Sequence, residues 1–230
     1  MRGMYVVFEG ADGAGKSTTM RAVAQELQRR VGPIPHQLTY HPGSTPLGTH
    51  IRKLVKYPEQ IDPAINIDPL SRQILYMVDT VSFVRQLLEP AISSGTSVFA
   101  DRSSFISALV YGAAEGLKMV DIDRLFQLIV PPRMDRLYVL RCPWQVGRER
   151  LKQRNDLDHF ERKPEAFFAR LEEIYDRLIT GPTDRTLLVT RSVSPQDLIY
   201  VDATAPLDRV VDIIVSDLVK LRAELEEASE

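Results

Sequence analysis

Residues 10–17 form the octapeptide Gly10-Ala11-Asp12-Gly13-Ala14-Gly15-Lys16-Ser17, which says more about the architecture than any other part of the chain. It matches the pattern Gly-x-x-x-x-Gly-Lys-Ser/Thr of a phosphate-binding loop. The apolar run 5–8 before it indicates a buried strand, and the pattern from 16 to about 30 indicates a helix. The glycines let backbone N–H groups turn toward a phosphate at the N-terminus of that helix. This context favours binding of a nucleoside triphosphate over a chance glycine-rich turn.

The loop predicts individual roles as well. Lys16 should reach the β- and γ-phosphates, and the hydroxyl of Ser17 should bind Mg²⁺. The residues predicted to bind the triphosphate are Gly10, Ala11, Asp12, Gly13, Ala14, Gly15, Lys16, Ser17 and Thr18. We therefore expect a protein that transfers a terminal phosphoryl group to another small molecule.

Strand-like and helical segments alternate along the rest of the chain. Further strand patterns cover residues 37–40, 97–101, 136–141 and 198–202. Further helical patterns cover residues 47–55, 70–92, 104–129, 146–154, 164–178 and 206–226. Such alternation predicts a parallel sheet covered by helices on both faces. We expect a three-layer α/β fold with a five-stranded parallel sheet, formed by residues 1–230 as one domain.

Composition narrows the class of partner. The formal net charge is −2 over 230 residues, so no overall basic field favours nucleic acid or an anionic membrane. No apolar run approaches the roughly 20 residues that a membrane helix needs, and no signal peptide is recognisable. The single cysteine, Cys142, is typical of a reducing compartment. We expect a cytoplasmic protein that acts on a small molecule, with neither nucleic-acid nor membrane partners.

Asp101 and Arg102 follow the apolar run 97–100. An acid at this end of a strand can meet Mg²⁺ or its water shell, and it can equally cap a helix or form a surface ion pair. The adjacent Arg102 favours the first interpretation, because phosphoryl transfer needs a cation near the transferring group.

Two classes of phosphate-loop protein compete. A GTP-dependent switch would carry an Asn-Lys-x-Asp segment near a late strand, and the sequence has none. A kinase of small molecules needs a mobile cover rich in cations, which suits the segment 147–170. Most of its basic side chains are expected to be solvated, and one or two to act in the chemistry. They are Arg148, Arg150, Lys152, Arg154, Arg162, Lys163 and Arg170.

Over nearly its whole length the chain resembles the thymidylate kinase family. Residues 8–18 resemble that family's phosphate loop, and 42–48 (Pro-Gly-Ser-Thr-Pro-Leu-Gly) are similar to its Pro-Gly-Gly-Thr-x-Leu turn. Residues 88–102 match in spacing, and 202–207 resemble its late strand and adenine loop. The resemblance implies a P-loop kinase fold with a flexible lid, a homodimer, and transfer of the γ-phosphoryl group of ATP, with Mg²⁺, to dTMP.

The resemblance also implies roles for the acceptor site, within about residues 40–112. Asp12 would accept a hydrogen bond from the 3′-hydroxyl of the acceptor, and Arg52 would contact its phosphate. Asp101 would lie near the metal, and Arg102 would bridge the phosphates of both nucleotides. Tyr76 would stack on the base. The substrate-binding residues expected in this way are Asp12, Arg52, Tyr76, Thr80, Arg102, Ser107 and Tyr111.

The base pocket departs from the family pattern. Thr80 takes the place of the arginine that reads the 4-oxo group of thymine, and Tyr40-His41 replaces an Arg-Glu pair. Ser103 and Ile106 are further exchanges. These changes leave two alternatives to dTMP: another or modified deoxynucleoside monophosphate as acceptor, or a degenerate nucleotide-binding homologue.

The lid, about residues 147–164, departs as well. The resemblance implies that glycine at position 13 goes with a catalytic arginine supplied by the lid, yet the matching position is His159. A histidine is a weaker, pH-dependent cation. We expect Arg154 or Arg162 to supply the charge. The segment 180–196, in which 186–190 could form a short strand, has no functional interpretation.

Overall fold

The computed structural model describes residues 2–129, 133–152, 157–180 and 192–228. Arg154, one of the two cations expected from the lid, lies outside these ranges. So do residues 181–191 of the uninterpreted segment, including the possible short strand.

A parallel sheet runs through the centre of the molecule. Its strands are β1 (Tyr5–Glu9), β2 (His36–Tyr40), β3 (Ser97–Asp101), β4 (Arg136–Arg141) and β5 (Leu198–Asp202). Their order is β2-β3-β1-β4-β5, and every neighbouring pair is parallel. The prediction of a five-stranded parallel sheet is confirmed.

Helices connect the strands and cover the sheet. They are α1 (Lys16–Val31), α2 (Pro46–Lys56), α3 (Pro69–Phe83), α4 (Glu89–Ser93), α5 (Ser104–Ala114), α6 (Met119–Phe126), α7 (Trp144–Leu151), α8 (Glu165–Thr180) and α9 (Leu207–Glu227). A π-helical turn, Val84–Leu88, joins α3 to α4, so the helix predicted over 70–92 is nearly continuous. Among the described helices, none has the length and apolar character needed to cross a bilayer.

The two faces of the sheet pack against separate cores, because side chains alternate along each strand. Tyr5 and Val7 of β1 face the core that includes buried residues of α3, α5 and α8. Val6 and Phe8 face the core formed with α1 and α9. Both faces are covered by helices, as the alternation of segments predicted.

The register of β1 brings the sequence motifs together. Phe8 pairs with Asp101 of β3, and the backbone N–H of Arg102 donates to the carbonyl of Phe8 at 2.9 Å. The phosphate loop therefore begins beside Asp101 and Arg102. This is the carboxyl edge of the sheet, where α/β proteins of this type bind their ligands.

Candidate active site

The phosphate loop needs glycine at positions where its backbone is unusual or crowded. Gly10 and Gly13 have φ values of 138° and 81°, which side chains other than glycine rarely adopt. A Cβ at Gly13 would lie 2.2 Å from the carbonyl oxygen of Gly147. The loop thus packs directly against the backbone of α7, so glycine at position 13 serves this contact as well as the turn.

Lys16 folds back onto the loop. Its ammonium donates to the carbonyls of Gly10 at 3.0 Å and Ala11 at 2.8 Å. Burial, and next the charge of Arg102, lower the pKa of Lys16 to about 8. Since a bound phosphate would favour the charged form, phosphate binding and protonation of Lys16 are coupled.

Ser17 and Asp101, the two side chains predicted to bind Mg²⁺, lie in contact. The hydroxyl of Ser17, on the first turn of α1, donates to the carboxylate of Asp101 at the end of β3. A hydroxyl and a carboxylate are the oxygen ligands that Mg²⁺ uses beside phosphate oxygens, so these two side chains fit that ion. In the described parts of the chain, no group of three or more His, Cys, Asp or Glu side chains could hold a metal without the nucleotide's help.

Arg102 is the centre of the charged network. It is the one non-glycine residue of the described chain with a positive φ, at 78°. Its guanidinium donates to the carbonyl of Gly10 at 3.1 Å, to the carboxylate of Asp12 and to the hydroxyl of Tyr111 at 2.7 Å. Burial alone would raise the pKa of Asp12, but Arg102, Lys16 and Lys56 lower it below its ordinary value. Asp12 is therefore an ionised acceptor.

Glu9 lies next to the guanidinium of Arg102, and no role was predicted for it beyond the end of β1. Its carboxylate is fully buried, 3.6 Å from the guanidinium. It accepts hydrogen bonds from the backbone N–H of Gly10 and Ser103 and from the hydroxyls of Ser107 and Tyr175. Burial raises the pKa of Tyr175 well above its ordinary value, so its hydroxyl is a donor. A buried carboxylate within four donors orders the phosphate loop and Arg102 together.

A cavity of about 490 Å³ opens over the phosphate loop. It brings together the predicted residues Asp12, Gly13, Gly15, Lys16, Ser17, Thr18, Arg52, Asp101 and Arg102. Its lining also includes Arg150 of the segment 147–170 and two cations that were not singled out from the sequence, Arg21 and Lys56. The guanidinium of Arg52 donates to the carbonyl of Pro42 at 2.9 Å and lies over the ring of Tyr40. The lining holds six cationic and four anionic side chains, a net positive charge that suits phosphate groups.

A second, smaller cavity of about 30 Å³ adjoins it. Its lining contains five of the predicted acceptor residues: Asp12, Tyr76, Arg102, Ser107 and Tyr111. Asp12, His41, Lys56 and Arg102 line both cavities. Phe160 closes the small cavity, with its ring 4.9 Å from that of Tyr111. This volume holds about one water molecule, so a base could enter only if side chains such as Phe160 moved.

The lid loop, residues 157–164, contributes carboxylates to the larger cavity. Asp158 and Glu161 line it, and they form a local turn in which each side chain accepts from the other's backbone N–H, at 3.0 Å in both cases. His159 instead lies 3.6 Å from Glu115, and Arg162 pairs with Glu59 at 2.7 Å. Neither His159 nor Arg162 lines the cavity in this arrangement.

Comparison with known proteins decides the family. A family model described as thymidylate kinase matches residues 8–199. The chain belongs to the thymidylate kinase family. The thymidylate kinase of Pseudomonas fluorescens strain Pf-5 is 30% identical over 222 residues, covering 96% of this chain and 97% of that protein. That of Deinococcus radiodurans is 29% identical, covering 91% and 93% respectively. That of Carboxydothermus hydrogenoformans is 31% identical, covering 75% and 82%.

Among the residues predicted to bind the acceptor of this thymidylate kinase family member, Thr80 is placed apart from the cavities. Thr80 lies outside both cavity linings, and its hydroxyl donates to the carbonyl of Tyr76 at 2.7 Å. The neighbouring Asp79 accepts from the backbone N–H of Gly43 and lies 3.2 Å from Nδ1 of His41. His41 itself lines both cavities, whereas Asp79 lies outside both linings. The role predicted for Thr80 stays a prediction, whereas Asp79 supports the 41–43 turn.

Proposed function

We propose that this chain transfers the γ-phosphoryl group of ATP to dTMP, giving dTDP and ADP. The observation that carries the proposal is the meeting of two cavities at Asp12 and Arg102, in a member of the thymidylate kinase family. One cavity contains the phosphate loop, and the other is lined by Tyr76 and Tyr111. The family match and the relatives favour this activity over a degenerate homologue or another acceptor.

The donor half of the mechanism rests on the phosphate loop. Residues 10–18 would cradle the phosphates of ATP, with the ammonium of Lys16 leaving the loop carbonyls for the β- and γ-phosphates. Ser17 and Asp101 would hold Mg²⁺, directly or through water. When bound, that ion neutralises charge on the β- and γ-phosphate oxygens.

The acceptor half rests on residues of the two cavities and of their junction. Arg52 and Arg102 would hold the acceptor phosphate, Asp12 would accept from the 3′-hydroxyl, and Tyr76 would pack on the base. An acceptor phosphate oxygen then bonds to the γ-phosphorus as the bond to the β–γ bridging oxygen breaks. Positioning and charge neutralisation are sufficient for this transfer, so no covalent enzyme intermediate is required.

The assignment of larger regions belongs to the same proposal. Residues 147–164 would act as the lid and residues 40–112 as the acceptor-binding region. Arg154 or Arg162 would approach the transferring group when the lid rearranges. The guanidinium of Arg162 is half exposed; it pairs with the exposed Glu59 and donates to the carbonyl of Leu157 at 2.7 Å, and an exposed ion pair of this kind costs little to exchange.

An exposed apolar face supports the proposal of a homodimer. Leu70, Ile74 and Val78 follow one another at four-residue spacing on α3, with exposed fractions of 53%, 43% and 39%. This spacing places them on one side of the helix, and such a stripe is typical of a protein interface. A second copy of the chain would cover it. A cytoplasmic location is also proposed, supported by the single, buried and unpaired Cys142.

A panel of acceptors tests the function. ADP release should be measured with ATP·Mg²⁺ and dTMP, dUMP, dCMP or thymidine in turn, using the full chain. We expect dTMP to have the highest kcat/KM. A clear preference for dCMP or thymidine would reassign the acceptor, and ATP binding without turnover of any of them would support a degenerate homologue.

A further inference from the structure

Lys56 occupies the junction between the two cavities. It is the last residue of α2, and its side chain lines both the phosphate cavity and the small aromatic cavity. Arg52 lies four residues earlier, so the two cations share one face of the helix. Arg52 is the residue expected to contact the acceptor phosphate. Lys56 was not singled out from the sequence, because a lysine near a helix C-terminus is ordinary.

The partner of Lys56 belongs to the lid loop. Its ammonium forms an ion pair with the carboxylate of Asp158, whose side chain is only 2% exposed. Its backbone carbonyl accepts from the N–H of His159 at 2.9 Å. The lid loop is therefore docked on α2 through both the side chain and the backbone of one residue.

The charges at this junction favour an exchange of partners. From the described lid loop, the side chains that line the phosphate cavity are the two carboxylates Asp158 and Glu161. A nucleoside monophosphate carries a charge between about −1.5 and −2 at neutral pH, so it would repel them. Lys56 pairs with Asp158 and lines the small cavity together with Asp12 and Arg102. An ammonium on a flexible stem can move from a carboxylate to a phosphate without changing the helix.

We propose that Lys56 is an acceptor-binding residue that exchanges the carboxylate of Asp158 for the phosphate of the acceptor nucleotide. This inference rests on the proposed kinase function and extends it. Arg52 and Lys56 together grip the acceptor phosphate from α2. Release of Asp158 then frees the lid loop, and with it Phe160, from the small cavity. Occupancy of the acceptor site is thereby coupled to the position of the lid.

Three substitutions separate this role from that of a lid anchor. Lys56→Met removes the charge, Asp158→Asn removes its partner, and Lys53→Met is the matched control, since Lys53 is exposed on the same helix. Steady-state kinetics should be measured with dTMP and ATP varied separately. We expect Lys56→Met to raise the KM for dTMP about 10- to 100-fold, the effect of losing one charge-assisted contact, and to change the KM for ATP less than about twofold. Lys56→Arg should restore most of the loss.

Asp158→Asn gives the decisive contrast. Because it frees Lys56, it should leave the KM for dTMP unchanged or lower it. Equal increases for Lys56→Met and Asp158→Asn would overturn the proposal and leave Lys56 as a lid anchor, as would an unchanged KM in Lys56→Met. Failure of wild-type protein to phosphorylate dTMP would refute the proposed function instead. Calorimetric titration of the same variants with dTMP would then decide whether Lys56 binds the acceptor.

Discussion

Raising the pH from about 7 to about 9 should weaken ATP binding by deprotonating Lys16. Burial and the nearby Arg102 lower the pKa of this lysine to about 8 in the free protein. The triphosphate favours the ammonium form, so binding takes up a proton wherever Lys16 is neutral. The sign follows directly: affinity is highest below the lowered pKa and falls as the pH rises through it.

The magnitude follows from the fraction of Lys16 that is charged. With a pKa of about 8, that fraction is about nine-tenths near pH 7, one-half near pH 8 and one-tenth near pH 9. The apparent Kd for ATP should therefore rise about tenfold, which corresponds to about 1.4 kcal/mol. A lysine with its ordinary pKa would stay charged over this range and change the Kd by only a few per cent.

Isothermal titration calorimetry provides the assay. Titrations with ATP·Mg²⁺ in two buffers of different ionisation enthalpy would count the protons taken up, and near pH 8 we expect about half a proton per nucleotide. Lys16→Met should bind ATP weakly and lose this pH dependence. A wild-type Kd that stays constant from about pH 7 to pH 9, or a dependence that persists in Lys16→Met, would refute the reasoning.

Two further predictions concern support of the site and assembly. Glu9→Gln keeps one acceptor oxygen but turns an NH₂ group toward the donors that surround Glu9. It should lower kcat at least about tenfold and reduce the free energy of unfolding, measured in urea, by about 2–4 kcal/mol. A kcat and a stability equal to those of the wild type would show that Glu9 is dispensable. Ile74→Glu should convert the dimer to a monomer in light scattering, whereas Ile213→Glu, equally exposed on α9, should not. A monomeric wild type would contradict the proposed interface.

Local patterns were sufficient for much of the fold. The order of strand and helix patterns predicted all five strands of the sheet. The inner strands β1, β3 and β4 are buried along almost their whole length and carry the clearest pattern, whereas the edge strands β2 and β5 are more exposed. The octapeptide at Gly10 predicted the phosphate loop, since its glycines are required by backbone geometry that few other residues adopt. The pairing of Ser17 with Asp101 also followed, because parallel strands present their carboxyl ends at one edge.

Other contacts between side chains that are far apart in the sequence could not be predicted from local patterns. Glu9 at the end of β1 gave no signal of its own, and its importance comes from Tyr175 on α8 and Ser107 on α5. Thr80 could be placed on α3, but not its hydrogen bond back to Tyr76. The direction of a side chain depends on what packs around it, and a sequence motif carries no information about that packing.

The octapeptide at Gly10 thus specifies the conformation of the loop to which we assign the phosphates of ATP, because the glycines among these few consecutive residues allow its backbone geometry. Tertiary packing determines which cationic side chains line the cavity over that loop. The lid turns His159 and Arg162 toward Glu115 and Glu59, while α2 brings Lys56 between the cavities. Long charged side chains have many rotamers, and their choice is made by partners that lie far away in the chain.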